Sequence, residues 1–535
     1  MTSLYTETSV IGRLLSIFST LFPSATKPTR YLLTWFLIGQ LALESAPSVR
    51  CLYRQFLSRQ TDKALTSYYH ALANEHVTDR SIRQALADKA LQLISPALRN
   101  EPIFLSIDDT TIAKAGKHFD GVSILYDHAR HNGRAYVNGH CFVSITMSVP
   151  ILKQRKGKPW IDYLAVPLGY AMWDKTASKL QLAANLLDEV MPMLSKRQVI
   201  LLFDSWYAKK NLIQHARQYD NLAIICNVRH DTQIYELPAA KTGPGRPRKY
   251  GRRLTLDDLY ENIWKKTYQM DQLLVTHKVV KAKIFGDCQV HAYVTLSKSG
   301  SRRLFLSTVE PMALHMSVAW QNSKMLRDAS SREMEFYPLR LYKLRWGIET
   351  NYYEQKMFWQ LSHYMVRKQT SIEHLMNLTN AEHAVMKMLP YLDDTFRSHQ
   401  DDSPQELRHF LSWQIQREII FATLAQKAQN SKNPEALLKA LQDVIRSDEE
   451  VAQSCKLLNL LSNKDTLPPR QTSSALSIFQ SDSQLIGSHF SFLLALVGHF
   501  NFGSQTQNFT LSFIQIFDHS LKLFVFFFIF LSAIS

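Results

Sequence analysis

A chain of 535 residues, 46% hydrophobic and 20% charged, has the composition of an ordinary globular protein and the length for roughly two to four domains. Sixty-two basic residues against 46 acidic ones leave a formal charge of +16 and a pI of about 9.4, which favours a polyanionic partner, either nucleic acid or an anionic membrane. The five cysteines (Cys51, Cys141, Cys226, Cys288, Cys455) are too scattered for a disulfide framework or paired zinc ligands and read as reduced intracellular thiols.

Residues 1–100 carry helical patterns and no convincing strand. The apolar patch YLLTWFLIGQLAL (31–43) follows Arg13 and Arg30 and lacks a cleavage pattern, so it predicts a buried helix. TSYYHALANEHV and DRSIRQALADKALQLI also read as helices, the second with Asp79 as its N-cap. A helical domain is expected, either a helix-turn-helix-like DNA-binding unit or a plain bundle.

The texture changes at EPIFLSIDDTTIAKAG (101–116), where Ile103, Phe104, Leu105 and Ile107 predict a strand ending at Asp108 and Asp109. GRAYVNGHCFVSITMSV (133–149) predicts a hairpin turning at Asn138 and Gly139. A further strand region (161–173) precedes an amphipathic helix (178–194). QVILLFDSWY (198–207) then runs five apolar residues into Asp204, as in a strand buried on both faces. A helix and the strand LAIICNVR (222–229) complete residues 101–229. An antiparallel meander followed by alternating helix and strand predicts an α/β layer around a mixed sheet, in which sites gather at the carboxyl ends of strands.

Residues 230–310 read as a β-rich insertion. Within it, KTGPGRPRKYGRR (241–253) holds six basic residues and no acidic one. An exposed loop is expected, with Arg246, Arg248 and Lys249 on phosphates or along a narrow minor groove. Residues 311–400 return to the core, and 401–465 are helical. From Gln471 to Ser535 only Asp482, Asp518 and Lys522 are charged, and the Phe-rich end LKLFVFFFIFLSAIS is too short for a span. A read-through tail over 466–535 is expected, and removal of residues 471–535 is expected to leave activity intact or improve solubility; a C-terminal anchor is the rival.

YKLRWGIETNYYEQK (342–356) sets Tyr342, Arg345, Glu349 and Lys356 within an arc of about 60° on a helical wheel. Leu344, Trp346, Ile348 and Phe358 predict that this helix packs, so the polar stripe faces a groove. A carboxylate offers oxygen to a hard cation, and Arg, Lys and Tyr suit a polyanion. With Asp109 (or Asp108) and Asp204 at strand ends, Glu349 completes an acidic set of the kind that holds two divalent cations in nucleotidyl transfer.

On these residues the chain resembles bacterial insertion-sequence transposases of the DDE type, in the branch with a Tyr-Arg-Glu-Lys signature (insertion sequence family four type). That branch reads Tyr, two residues, Arg, three residues, Glu, six residues, Lys, and all four positions match; IDDTT and FDSWY resemble its two aspartate motifs. The resemblance, over about residues 30–400, implies a ribonuclease-H-like mixed-sheet core interrupted by the β insertion. It implies Asp109, Asp204 and Glu349 as catalytic ligands of two Mg²⁺ ions, which Mn²⁺ replaces, with Asp108 as the alternative first ligand. Tyr342, Arg345, Lys356 and Arg229 are then DNA-contacting residues. The implied partners are inverted-repeat element ends, target DNA and a second copy of the chain in a synaptic homodimer, in the bacterial cytoplasm with no membrane. The alternatives are a decayed, transposase-derived DNA-binding protein and a nuclease of the same core without strand transfer. Phosphate-loop, serine-elbow and zinc-cluster signatures are absent.

Overall fold

The computed structural model describes residues 5–429 apart from positions 47, 127–135, 156–157, 241–245, 262–267, 271 and 311–333. The expectations for residues 430–465 and for the tail lie outside the described residues.

Hydroxyl side chains start the principal N-terminal helices. Ser9 caps α1 (Val10–Ser19) and Thr26 caps α2 (Lys27–Leu43), while α3 (Leu65–Leu72) has no side-chain cap. Thr78 caps α4 (Asp79–Gln92), so Asp79 occupies the first helical position and not the cap expected of it. There it still complements the helix dipole. Most of α2 is buried, including Leu33, Phe36, Leu37, Ile38 and Leu41.

The sheet begins with β1 (Ile103–Ala113), β2 (Ser123–Tyr126), β3 (Tyr136–Arg155) and β4 (Lys158–Met172). Then come α5 (Lys179–Val190), β5 (Val199–Phe203), α6 (Lys210–Ala216) and β6 (Leu222–Val228). β1 is parallel to β5, and β5 to β6, while β3 is antiparallel to β1, β2 and β4. Four strands in antiparallel pairing followed by two parallel ones joined through a helix is a mixed α/β arrangement consistent with a ribonuclease-H-like core. β7 (Ile234–Tyr235), β8 (Arg253–Leu254), β9 (Tyr268–Met270), β10 (Leu273–Ala282), β11 (Gln289–Ser297) and β12 (Arg302–Ser307) extend the same sheet. β12 bonds directly to β6, giving the order β2-β3-β1-β5-β6-β12-β11-β10-β7-β8, with β4 on β3 and β9 on β10.

Two readings of the first strands are corrected. Asn138 and Gly139 are not a hairpin turn but part of β3, where Gly139 pairs with Ala113 and with Ser123. A Cβ on Gly139 would stand 2.2 Å from the Ile112 carbonyl oxygen, so glycine is needed for close approach to β1. Asn138 donates its side-chain amide to the Lys114 and Gly116 carbonyls. Nor does the first strand end at its aspartates; β1 runs on to Ala113 against β3, whereas its pairing with β5 stops at Ile107–Phe203.

The remaining helices are α7 (Tyr337–Tyr342), α8 (Trp346–Phe358), α9 (Gln369–Leu392) and α10 (Pro404–Gln429). The stretch expected as one helix is broken by a 3₁₀ turn over Lys343–Arg345. Trp346, expected to pack, is 66% exposed, while Ile348 is buried. α10 closes on the N-terminal helices, and Glu418 accepts the Val10 and Ile11 amides at 2.6 and 2.9 Å, satisfying free donors at the start of α1.

α8 is held by a buried polar network. A bulge at Ile145/Thr146 leaves β4 backbone groups to be met from α9: Asn377 bridges the Tyr170 amide and carbonyl, and Asn380 donates to the Pro167 carbonyl. Gln355 of α8 donates to Asn380 Oδ1 and His383 Nδ1 and accepts from the Tyr170 hydroxyl. Gly347 brings α8 close to β4, since a Cβ there would lie 2.6 Å from that of Ala165.

Candidate active site

Side chains alternate across a strand, so neighbours on β1 face opposite layers. Ile103, Leu105 and Ile107 share one core cluster with Val199, Leu201 and Phe203, whereas Phe104 packs on the other face with Ile200, Leu202, Tyr337 and Leu341. By this parity Asp108 and the residue following Phe203, Asp204, belong to the face covered by α7 and α8, and Asp109 to the opposite one.

The contacts agree. Arg345 lies between Asp108 and Glu349, its two terminal nitrogens donating to Asp108 Oδ2 at 3.2 Å and Glu349 Oε1 at 2.6 Å. Burial, followed by the charge of Asp204, pushes the Asp108 carboxyl up to about 7, with the Arg345 guanidinium pulling it back. Asp204 Oδ1 accepts the Trp206 amide at 2.9 Å and the Tyr207 amide at 3.3 Å, closing a tight turn after β5. Arg345 Nε is buried and has no hydrogen-bond partner among the described residues. A buried donor without a partner carries a desolvation cost, which an incoming anionic oxygen would relieve.

Tyr342 donates its hydroxyl to the Phe203 carbonyl at 3.2 Å and packs edge-on against Phe305 at 5.0 Å, tying the end of α7 to the strand end before Asp204. Lys356 donates to the Thr111 carbonyl at 3.3 Å. The structure thus gathers Tyr342, Arg345 and Glu349 around Asp108 and the Asp204 turn, with Lys356 further along β1.

Asp109 does not join this group. Its carboxylate accepts Lys179 Nζ at 2.8 Å, Cys141 Sγ at 3.2 Å and the Tyr207 hydroxyl at 3.0 Å. Burial, then Asp109, push the Cys141 thiol up to about 12. Arg229 lies on the surface, paired with Asp231 at 3.3 Å. Arg246, Arg248 and Lys249 are exposed just before β8, at the end of the sheet order remote from β1, with Lys249 bridged to Asp287 at 3.0 Å.

Lys179 and Tyr207 were not singled out by motif, nor was Lys114, whose ammonium sits 3.2 Å from the Tyr364 ring centre and is drawn down to about 8 by burial. Chain parity is the signal that separates Asp108 from Asp109. In the sequence it is weak, because Phe104 is as apolar as Ile103, Leu105 and Ile107 and only Ser106 sets its face apart.

Carboxylate oxygens from within β1, from the turn after β5 and from a facing helix form the donor type that hard divalent cations take. As placed, no three His, Cys, Asp or Glu side chains among the described residues converge closely enough to hold a metal ion; Arg345 supplies the positive charge between Asp108 and Glu349. No described helix is long and apolar enough to cross a membrane.

No curated protein matches the chain. A family model described as DDE superfamily endonuclease matches residues 18–278, a stretch that includes Asp108, Asp109 and Asp204 and ends before α7 and α8. Over those residues the chain is similar to DDE superfamily endonucleases, which supports a nuclease-type function.

Proposed function

We propose that this protein is a DNA transposase that cuts the ends of an insertion sequence and joins them to target DNA, with Asp108, Asp204 and Glu349 as its metal-binding carboxylates. The observation that carries the reading is the shared face of Asp108 and Asp204 on adjacent parallel strands, with Glu349 linked to Asp108 through one arginine. Asp108 takes the place that the sequence motif assigns to Asp109, whose oxygens are engaged on the far face.

Mg²⁺ or Mn²⁺ bound by these carboxylates would activate the attacking water or 3′-hydroxyl and stabilise the leaving oxygen. Arg345, already charged and partly unpaired, exchanges a carboxylate for a phosphate oxygen when DNA enters. Tyr342 fixes the depth at which α8 meets the strand end. Lys356 supplies a second cation for the backbone, and Arg229, Arg246, Arg248 and Lys249 extend the basic surface along the duplex. Two element ends require two copies of the chain, so a homodimer on DNA is part of the reading.

The test is cleavage and joining of DNA carrying the sequences that flank the gene. Metal-dependent release of 3′-hydroxyl ends followed by their insertion into a second plasmid is the expected result. Cutting without joining would leave a nuclease, and end binding without cutting a decayed element.

A further inference from the structure

We infer that Asp109 is a positioning residue that holds the Asp204 turn through Tyr207, acting from the face of the sheet opposite Asp108; the inference rests on Asp108, Asp204 and Glu349 being the metal-binding carboxylates. Both oxygens of Asp109 are engaged by protein donors: Oδ1 by the Tyr207 hydroxyl at 3.0 Å, and Oδ2 by Lys179 Nζ at 2.8 Å and Cys141 Sγ at 3.2 Å. With Lys179 neutralising its charge, this carboxylate has little left to offer a cation.

Tyr207 is fully buried and works at both ends. Its hydroxyl is fixed on Asp109, while its backbone amide, with that of Trp206, is fixed on Asp204 Oδ1. Two amides on one oxygen set the rotation of the Asp204 carboxylate, and Asp109 sets where those amides stand. Lys179 adds a second restraint. Its ammonium lies 5.1 Å from the Trp173 ring centre and 5.0 Å from that of Trp206, so it holds the half-exposed Trp206 of the same turn. The paired aspartates therefore divide the work, one on each side of β1.

An ordinary buried ion pair would affect stability alone, whereas a positioning role affects metal affinity. Mn²⁺ binding to the full chain, followed by calorimetry, separates them. Asp109→Asn and Tyr207→Phe should keep the stoichiometry of the parent but bind about 10- to 100-fold more weakly, as loss of an orienting partner does. Plasmid cleavage by both should recover at high Mn²⁺. Asp108→Asn should lose binding outright. Tyr207→Phe removes a single oxygen, and its melting temperature is recorded alongside. A lower melting temperature with unchanged Mn²⁺ affinity in both variants would overturn the inference, as would abolished binding in Asp109→Asn while Asp108→Asn still binds. If Asp108→Asn, Asp204→Asn and Glu349→Gln lose Mn²⁺ but Tyr207→Phe does not weaken it, the positioning role alone fails. If all of them bind as the parent does, the reading of the carboxylates fails, and this inference with it.

Discussion

Asp108 and Asp204 each stand one residue past the same register pair, Ile107 with Phe203, on parallel strands that run about 5 Å apart. Two carboxylates so placed repel one another, and Asp108 responds by holding its proton to about pH 7, through burial first and the neighbouring charge second. Replacing Asp108, Asp204 or Glu349 by the corresponding amide should therefore lower metal-dependent cleavage about a thousandfold or more, while end binding in gel-shift assays stays within a few-fold of the parent. Near-normal cutting by any one of the three would remove that residue from the site.

Arg345 is only 14% exposed, and its removal should be felt most by the DNA backbone. Arg345→Ala and Lys356→Ala are each expected to weaken end complexes and to reduce the slope of log affinity against log salt by about one. An unchanged slope would mean that neither side chain neutralises a phosphate.

Gln355 is completely buried and serves three partners at once: Tyr170, Asn380 and His383. Gln355→Leu keeps the bulk but strands those groups, at a cost of about 3 kcal/mol. Urea denaturation should show the midpoint falling with little change in slope. Cleavage should fall as well, since the same helix carries Glu349.

Glu382 and His383 are adjacent, buried and opposed in their pH dependence. Burial pushes the Glu382 carboxyl up from 4.5 to about 7 against the pull of Arg408, and draws His383 down from 6.5 to about 4. A raised carboxyl binds its proton in the folded state first, so its contribution is present below pH 4.5 and lost as pH rises through about 7. The lowered histidine does the reverse, contributing above pH 6.5 and losing that contribution as pH falls toward 4. Glu382→Gln removes only the first tendency. Relative to the parent, it should gain on the order of 2 kcal/mol between about pH 4.5 and 8, seen as diverging urea midpoints. Parallel pH profiles for the two proteins would contradict this assignment.

Elements with one dominant physical cause were legible from the chain. The run Val199–Phe203 reads as a doubly buried strand because all five side chains are apolar, and it is one. The patch around Trp35 and Phe36 reads as a buried helix and lies in α2. Legibility fails where a partner distant in sequence decides. Asn138–Gly139 has turn chemistry, yet β1 needs the missing Cβ at Gly139 and Asn138 bonds the chain beyond β1. The break at Lys343–Arg345 lies beside the hydrogen bond from Tyr342 to Phe203, a contact 139 residues apart in the chain. The candidate site shows the same limit. Residue types and their order point to the chemistry, but a strand with apolar side chains on both faces marks only faintly, through Ser106, which aspartate turns toward α8.

The hydrogen-bonded ladder from β6 through β12 to β8 joins the strand that precedes Asp204 and the strands beside Arg246 and Arg248 into one continuous sheet. On the proposed reading, DNA held near Arg246 and Arg248 would rest beside the same sheet whose β5 ends just before Asp204.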